Sequence, residues 1–347
     1  MKIPDKITST EALESFLAEP YSQTIDAMRN MKGDIIILGV GGKMGPSLAH
    51  LAVNATRRAG VKRRIIGVSR FSNPAQQKQL QHWGVETISC DLSKPEEMEK
   101  LPHAENVIFM AGRKFGSSGT EPETWLLNTI VPGMVAQYFR KSKIVVFSTG
   151  CVYDFACRET GGSKESDRPR PVGEYASSCL GRERVFEYYA KVYNCPTLMF
   201  RLNYAIDLRY GVLTDIGISV YNELEIDISV DDVNIIWQGD ANNRALLCLE
   251  HTDVPPAILN ITGSEILSVS NIAGEFGKIF NKEVRLNGEP NTCSYLSNAA
   301  KSVKLFGEPA ISVGQMIRWT ADWIRQGGET YGKPTLFQVT DGDFLMA

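Results

Sequence analysis

The stretch Asp34–Ala52, DIIILGVGGKMGPSLAHLA, joins a short apolar run to an amphipathic segment through four glycines. The run Ile35–Leu38 is typical of a buried strand, and the segment after it carries apolar residues at helical spacing. Gly39, Gly42 and Gly45 follow one another at intervals of three. A strand that turns through glycines into a helix lets the backbone approach a pyrophosphate, which free N–H groups at the helix N-terminus can bind. The stretch therefore predicts a dinucleotide-binding loop, although a tight turn without a ligand would show the same pattern.

Size and charge narrow the class of protein. The chain has 347 residues and is 43% hydrophobic, enough for one large domain or two modest ones. Its formal net charge of -3 gives no sign of a nucleic-acid surface. No apolar run approaches the roughly 20 residues that span a bilayer, and the N-terminal residues lack the apolar core of a signal peptide. We expect a cytoplasmic protein without a membrane or nucleic-acid partner.

The cysteines and histidines are dispersed. Seven cysteines, an odd number without a C-x-x-C spacing, predict reduced thiols rather than a disulfide framework or a zinc site. None of the four histidines lies at metal-ligand spacing from another histidine or a cysteine, so no metal is predicted.

Apolar runs and helical stretches alternate after residue 34, which predicts a doubly wound parallel sheet, an α/β fold of the Rossmann type. The later strands are predicted at Arg64–Val68, Val85–Cys90, Asn106–Met110, Lys143–Phe147 and Thr197–Phe200. The helices between them are predicted at Pro46–Arg58, Ala75–Trp83, Glu121–Arg140 and Tyr175–Tyr193.

The pattern also suggests how the chain is divided. We expect an N-terminal helical extension, a dinucleotide-binding Rossmann domain, and a smaller interleaved C-terminal substrate domain with a tail. The extension covers residues 1–32, the Rossmann domain 33–206 completed by about 233–265, and the small domain and tail 207–232 and 266–347.

The end of the second strand bears on the choice of cofactor. An acidic residue there would bind the adenosine ribose of NAD, whereas a nearby arginine suits the 2′-phosphate of NADP. Ser69 stands where the acid would be, Arg70 follows it, and Lys43 in the glycine loop adds a second cation. These residues favour NADP(H) over NAD(H), unless Arg70 is only a solvated loop residue.

Several further segments occur in an order that is informative as a whole. Asp91-Leu92 follows the third strand, Met110-Ala111-Gly112 ends the fourth, and Asn128 lies in the next helix. Phe147–Tyr153 reads FSTGCVY, and Arg201–Tyr204 reads RLNY. With the glycine loop, they resemble the extended short-chain dehydrogenase/reductases, the NAD(P)-dependent sugar epimerase/dehydratase family.

The resemblance implies roles for these residues. Thr149 takes the place of the catalytic Ser/Thr, and Tyr175 that of the catalytic tyrosine in YASSCLGRE, which lies over the family's Y-G-x-S-K-x-x-x-E. The cofactor-binding residues implied by the loop, the strand ends and the resemblance are Gly39, Gly42, Lys43, Met44, Gly45, Ser69, Arg70, Asp91, Leu92, Met110, Ala111, Gly112, Asn128, Tyr175 and Asn203.

Cys179 departs from this pattern because it occupies the lysine position. A lysine one helical turn after Tyr175 would share its face and lower the tyrosine pKa, which is otherwise near 10. A cysteine supplies no positive charge. Arg182 lies two turns from Tyr175, about 10 Å along the axis, and is not expected to replace the lysine.

Three interpretations of the site stay open. Tyr175 works with help from another group, other residues carry the chemistry while Tyr175 positions the substrate, or the site binds a cofactor without turnover. A catalytic role for Cys179 itself is a further, weaker hypothesis, because a helix cysteine is usually a small packed residue.

The resemblance implies hydride transfer at a hydroxyl or carbonyl of a sugar or nucleotide sugar, by an epimerase or a reductase. A dehydratase ranks lowest, because Gly150-Cys151 follow Thr149 where an Asp-Glu pair would be expected. The alternative is a cofactor-binding sensor or partner protein. The family also implies a homodimer through helices near 121–140 and 175–193, and substrate contacts on the loops 114–120, 152–172 and 207–215.

Overall fold

The computed structural model describes residues 2–114, 119–290 and 293–342. Part of the predicted substrate loop 114–120 and the last residues of the tail lie outside these ranges. No helix within them is long and apolar enough to cross a membrane. They also hold no group of three or more His, Cys, Asp or Glu side chains able to bind a metal ion.

A seven-stranded sheet forms the centre of the fold. All its neighbouring strands are parallel, in the order β12-β7-β5-β4-β1-β2-β3. In chain order the strands are β1 (Ile35–Leu38), β2 (Ile65–Ser69), β3 (Glu86–Ser89), β4 (Asn106–Phe109), β5 (Lys143–Thr149), β6 (Ala156–Cys157), β7 (Thr197–Leu202), β8 (Ala205–Ile206), β9 (Glu225–Asp227), β10 (Asp232–Val233), β11 (Ile236–Trp237), β12 (Ala257–Ile261), β13 (Leu267–Ser268), β14 (Arg285–Asn287) and β15 (Cys293–Ser294). The order reverses between β1 and β4, which opens a crevice at the carboxyl ends of these two strands.

Helices cover both faces of the sheet. In chain order they are α1 (Thr10–Leu17), α2 (Ser22–Asn30), α3 (Gly45–Ala59), α4 (Pro74–Trp83), α5 (Pro95–Met98), α6 (Glu121–Trp125), α7 (Val131–Tyr138), α8 (Gly173–Tyr193), α9 (Val212–Tyr221), α10 (Gln238–Leu247), α11 (Val269–Phe280), α12 (Ala300–Phe306) and α13 (Val313–Arg325). The α/β doubly wound prediction is confirmed.

Two predicted strands end too early. β5 continues to Thr149 and β7 to Leu202, because their parallel pairing continues through Ser148↔Arg201 and Thr149↔Leu202. Thr149 is therefore the last residue of a central strand, at the same sheet edge as the glycine loop.

The helix predicted at Glu121–Arg140 is interrupted. A π-helical turn at Leu126–Ile130 separates α6 from α7. Pro132 has no N–H with which to close the α-helical bond to the carbonyl of Asn128, which accounts for a break at this point. Such turns are common at functional sites, and Asn128 lies within this one.

The hydrophobic core has three main parts. One lies between the sheet and α2, α3 and α10, and a second lies on the opposite face under α7 and α8. The third lies beside the sheet among α1, α9, α11 and α13, with Trp319 and Trp323 buried in it. The N-terminal extension packs on helices: Tyr21 N and Thr24 Oγ1 donate to Asn243 Oδ1 of α10.

The prediction that all seven cysteines are reduced is wrong. Cys157 and Cys293 form a disulfide bond, although 136 residues separate them along the chain. Antiparallel pairing of β6 and β15 places the two residues opposite one another. A contact between such distant residues leaves no local sequence signal. The other five cysteines are free and buried.

Candidate active site

The glycine loop needs its glycines for close backbone contacts. A Cβ on Gly39, where φ is +92°, would lie 2.6 Å from Ala111 N, and one on Gly45 would lie 2.1 Å from Val40 O. Met44 precedes α3, and its carbonyl accepts a bond from Leu48 N. The loop thus lies tightly against the end of β4 and leads directly into a 15-residue helix.

A cleft of about 730 Å³ opens beside this loop. Its walls include residues of the loop, of α4 and of the C-terminal tail, among them Gly41, Gly42, Lys43, Gln76, Tyr331 and Lys333. The cleft is large enough for part of a dinucleotide, and the start of α3 faces it through Ser47.

The predicted adenosine end is formed by β2 and the turn after β3. Ser69 Oγ lies so close to Gly41 that a Cβ there would meet it at 2.4 Å. Arg70 is exposed, and its charge acts on Asp91. Burial opposes ionisation of Asp91, but hydrogen bonds from Ser93 and the charge of Arg70 lower its pKa overall. Leu92 is buried beside it.

Lys43 turns toward a different part of the site. Its ammonium lies 3.0 Å from the ring centroid of Tyr210. Burial and the charges of Lys114 and Lys333 lower the pKa of Lys43 to about 7, although Asp215 opposes the shift. Arg70 and Lys43 thus have different neighbours. Among the described residues, no contact brings their side chains together as joint binding of a 2′-phosphate would require.

Thr149 and Tyr175 meet at the carboxyl end of β5. Tyr175 lies in the first turn of α8, and the neighbouring Thr149 side chain acts to lower the pKa of its phenol. Thr149 Oγ1 also accepts a bond from Cys151 N at 3.1 Å. Burial, then Cys179 and Cys151, raise the pKa of Tyr175 well above its usual range. The tyrosine is therefore protonated at neutral pH in the free protein.

Cys179 is a packed residue. Only 1% of it is exposed, and it lies in an apolar cluster with Val152 and Tyr153. Burial raises the pKa of its thiol to about 11. The position that the family fills with a lysine therefore holds a neutral thiol, which provides no cation for Tyr175.

Arg182 reaches further than its distance along the helix suggests. Its side chain runs toward the helix N-terminus, as helix side chains do, and Nη1 donates to Phe147 O at 2.7 Å. Nη2 donates to Asn128 Oδ1 at 2.7 Å, and a Cβ on Gly112 would meet Nη2 at 2.3 Å. A buried guanidinium thus lies near Tyr175 and, despite the two-turn separation along the helix, acts to lower its pKa.

Asn128 links three elements around this guanidinium. Its Oδ1 also accepts a bond from Arg113 N, and its Nδ2 donates to Arg113 O and to Ser178 Oγ. All these bonds measure 2.9 Å. Asn128 therefore holds the chain after β4 against α8, close to Gly112. Met110 continues the ladder of β4 by donating its N–H to Leu38 O.

Asn203 lies at the other side of the site, away from the glycine loop. Its Nδ2 donates to Asn234 Oδ1 and Tyr295 O, and its amide lies against Gly150. The hydroxyls of Tyr295 and Ser297, close by, are buried and have no hydrogen-bond partner among the described residues. This polar region adjoins Thr149 through Gly150.

Three further polar residues lie near the predicted site: Lys114 and Asp215 belong to predicted substrate loops, whereas Thr335 lies in the tail, to which no role was assigned. Lys114 Nζ is 5.9 Å from the ring centroid of Tyr175 and donates to Thr335 O at 3.4 Å. Thr335 N and Oγ1 donate to Asp215 Oδ2 at 2.8 and 2.5 Å. Lys114 follows the predicted cofactor strand closely, which is a usable signal. The tail containing Thr335 has none, because its role depends on a contact 120 residues away.

Three solved structures illustrate the likeness of the fold. UDP-glucuronic acid 4-epimerase from Bacillus cereus in complex with NAD has 18% identity and a TM-score of 0.68, over 84% of this chain and 99% of that one. UDP-glucose 4-epimerase from Thermotoga maritima with UDP-glucose has 18% identity and 0.68, over 85% and 99%. Pal from Bacillus thuringiensis has 17% and 0.69, over 84% and 99%.

The two sequence comparisons gave different results. A search of curated proteins found no match. The model of the NAD dependent epimerase/dehydratase family matches residues 35–205, which hold the glycine loop, Thr149 and Tyr175. This segment, just under half of the chain, carries the likeness to the NAD dependent epimerase/dehydratase family.

Proposed function

We propose that the protein is a nicotinamide-dinucleotide-dependent epimerase or reductase that acts on a sugar nucleotide. The proximity of Thr149 and Tyr175 at the carboxyl end of a central strand carries this proposal. A hydroxyl or carbonyl oxygen of a substrate placed there would meet one proton-transfer group and one hydrogen-bond donor.

The residues at the sheet edge fit the cofactor. Gly41 and Gly42 line the cleft at the start of α3, where the backbone can approach a pyrophosphate without side chains in the way. Ser69 and Arg70 suit the adenosine ribose, and Gly112 leaves the end of β4 without a side chain. The bound nicotinamide would supply a hydride acceptor and donor.

Side chains of the protein take part in the transfer of the substrate proton. Tyr175 accepts the proton of a substrate hydroxyl, and Thr149 donates a hydrogen bond to the same oxygen. Because burial raises the pKa of Tyr175, the proposed activity needs a positive charge close to the phenol in the working state. Arg182 provides one such charge from below.

The buried hydroxyls of Tyr295 and Ser297 support a polyhydroxylated substrate, because a sugar would supply the partners that they lack. The neighbours of this fold include proteins in complex with UDP-glucuronic acid and with UDP-glucose. We therefore assign a sugar nucleotide as the substrate class.

The proposal also includes the cofactor preference, the oligomeric state, the domain division and the location. NADP(H) is preferred to NAD(H) because Ser69 replaces an acid and Arg70 follows it. We also propose a homodimer, the division into a Rossmann domain and a smaller domain, and a cytoplasmic location. Because Cys157 and Cys293 form a disulfide, reduced thiols no longer support the cytoplasmic location.

A second candidate is a cofactor-binding sensor or partner protein without turnover. The neutral thiol of Cys179 in the lysine position favours it. Cys179→Lys separates the two candidates: a rise in turnover of about 10²-fold or more would identify an impaired enzyme site.

The first experiment is a fluorescence titration of the protein with NADPH and NADH, followed by assays with UDP-glucose and UDP-glucuronic acid as probes. We expect binding with a preference for NADPH, and C4 epimerisation or nicotinamide reduction that Tyr175→Phe lowers by about 10²-fold or more. Failure of the reduced and oxidised forms of both cofactors to bind would contradict both candidates.

A further inference from the structure

The C-terminal tail, residues 329–342, begins beside the glycine loop. Tyr331 and Lys333 line the cleft next to this loop, where the proposed function places a pyrophosphate. Tyr331 N donates to Arg209 O at 3.0 Å, and the guanidinium of Arg209 lies 5.1 Å from the centroid of the Tyr331 ring. This part of the tail forms a wall at the phosphate end of the site.

The middle of the tail reaches the proposed catalytic residues. Thr335 is 3% exposed, and its N–H and hydroxyl donate to Asp215 Oδ2 at 2.8 and 2.5 Å. Its carbonyl accepts a bond from Lys114 Nζ at 3.4 Å, and this ammonium lies 5.9 Å from the centroid of the Tyr175 ring. Thr335 therefore connects two of the predicted substrate loops, those that carry Lys114 and Asp215.

The end of the tail closes the other side of the site. Gly342 packs on the start of α8, where a Cβ on Gly173 would lie 2.5 Å from the Gly342 carbonyl oxygen. The charge of Asp341 acts on Tyr295, whose buried hydroxyl has no hydrogen-bond partner among the described residues. The tail thus passes from the glycine loop to the region of Tyr295, along the path that a dinucleotide and a sugar would occupy.

The tail is an irregular segment that can detach without breaking a helix or a strand. Residues 329–342, all of which the structure describes, contain neither. Glycines with positive φ lie before the tail, within it and at its end, at Gly327 (+68°), Gly332 (+61°) and Gly342 (+78°). Phe337, which is 2% exposed, anchors the tail in the core among α9, α11 and α13. Such a segment is closed at rest, yet opens at a lower free-energy cost than global unfolding.

The proposed reaction needs a movement of this kind. Thr149 is only 8% exposed, although a substrate oxygen must come within hydrogen-bond distance of its hydroxyl. A sugar reaches this hydroxyl only if part of the surface that covers the site moves aside. The tail lies on this surface and belongs to neither the sheet nor a helix.

We propose that the tail is a strap that closes over bound cofactor and substrate, with the contact between Thr335 and Asp215 as its latch. Entry and exit of the dinucleotide then require release of this latch. The identity of the cofactor depends on the proposed function, whereas the covering of Lys114 by the tail does not.

The test compares full-length variants. Thr335→Val removes the hydroxyl that donates to Asp215, and Thr335→Val/Phe337→Ala also removes the apolar anchor. Thr335→Ser restores the hydroxyl, and Thr340→Val, at an exposed position of the same tail, is the matched control. Circular dichroism checks that each variant is folded, and Thr335→Ala replaces Thr335→Val if the latter is not.

The first measurement is the rate of cofactor release. Each protein is loaded with NADPH or NADH, whichever binds more tightly, and mixed with an excess of its oxidised form in a stopped-flow fluorimeter. We expect Thr335→Val to release the reduced cofactor about tenfold faster than the parent, because a buried hydrogen bond to a carboxylate is lost. The double variant should release it faster still, and Thr335→Ser and Thr340→Val should stay within about twofold of the parent.

The second measurement needs no cofactor. Acetylation of lysine amines at constant pH, quantified by mass spectrometry, reports how well the tail covers Lys114. We expect the labelling rate of Lys114 to rise about tenfold in the double variant, because the open form of the tail becomes more populated. Lys141, at an exposed position before β5, is the internal reference and should not change.

The two measurements together decide the proposal. Release and labelling rates within about twofold of the parent would overturn it, and so would a change in only one of them, because a strap both covers the site and limits exchange. If neither dinucleotide binds, the proposed function fails, and labelling of Lys114 alone then supports or overturns the strap.

Discussion

Burial determines the protonation state of individual side chains in this protein, and His50 is an example. His50 of α3 stacks on Trp83 of α4 with ring centroids 4.3 Å apart, and its Nδ1 is buried without a partner among the described residues. Burial, with a smaller contribution from the charge of Arg57, lowers the pKa of His50 to about 4. The unfolded chain therefore takes up a proton near pH 6.5, whereas the folded chain does so only near pH 4.

This difference predicts acid sensitivity that one substitution removes. The stability from neutral His50 is complete above pH 6.5 and is lost as the pH falls from 6.5 toward 4. Between these values we expect the free energy of unfolding of the parent to fall by about 1–2 kcal/mol more than that of His50→Phe, which keeps the stacked ring, because the partly exposed imidazole is screened by solvent. Urea unfolding at several pH values measures it. His82→Gln, at an exposed position, should behave like the parent. Equal pH dependence in the parent and His50→Phe would contradict the assignment.

Between secondary-structure elements, a buried polar network connects α8 to the sheet. Arg201 of β7 donates from Nε and Nη2 to the two carboxylate oxygens of Glu183 in α8, at 2.9 and 2.6 Å. Ser148 of β5 donates to Glu183, and Arg201 Nη1 donates to Tyr153 Oη. Tyr153 in turn donates to Asn260 of β12. One helix and three neighbouring strands are thus joined below Tyr175.

Glu183→Gln should be strongly destabilising, because it leaves the guanidinium of Arg201 buried without its counter-charge. We expect a loss of about 3–5 kcal/mol in the free energy of unfolding, measured by urea denaturation. Glu187→Gln, one turn later in the same helix, removes an exposed ion pair and should cost less than about 0.5 kcal/mol. Similar losses in the two variants would show that the network does not anchor the helix.

At the scale of the whole molecule, two surfaces depend on distant parts of the chain. The tail crosses the site: Thr335 and Phe337 are buried, and Gly342 lies against Gly173 at the start of α8. On another side, the π-helical turn and α8 expose large apolar residues, with Ile130 58%, Tyr188 62% and Val192 54% exposed. An apolar surface on these helices is consistent with the proposed homodimer.

Tyr188→Arg should therefore shift the protein from a dimer to a monomer of 38.4 kDa, because it places a charge in the expected interface. Light scattering after size-exclusion chromatography measures the mass. Leu305→Glu, at a comparably exposed apolar residue of α12, should leave the dimer intact. A parent that is already monomeric, or a dimer that survives Tyr188→Arg, would contradict this interface.

The features of this protein that could be predicted from its sequence are those with short, local sequence patterns. The parallel sheet, the glycine loop and the position of Thr149 just after the predicted fifth strand all follow from short periodic patterns and from residues adjacent in the chain. Tyr175 was assigned through the resemblance of the nine residues YASSCLGRE to a family segment, which is also a local signal. The strand ends at Thr149 and Leu202 were missed because pairing with a neighbour, rather than local composition, extends them.

Which charged side chains lie near Tyr175 could be seen only in the folded structure. Lys114 in the chain after β4 and Arg182 in the second turn beyond Tyr175 approach this tyrosine only because the chain after β4 packs against α8. The bond between Cys157 and Cys293 and the contact between Asp215 and Thr335 join residues more than 100 positions apart. Such contacts follow from the packing of whole elements, so no pattern in a single segment encodes them.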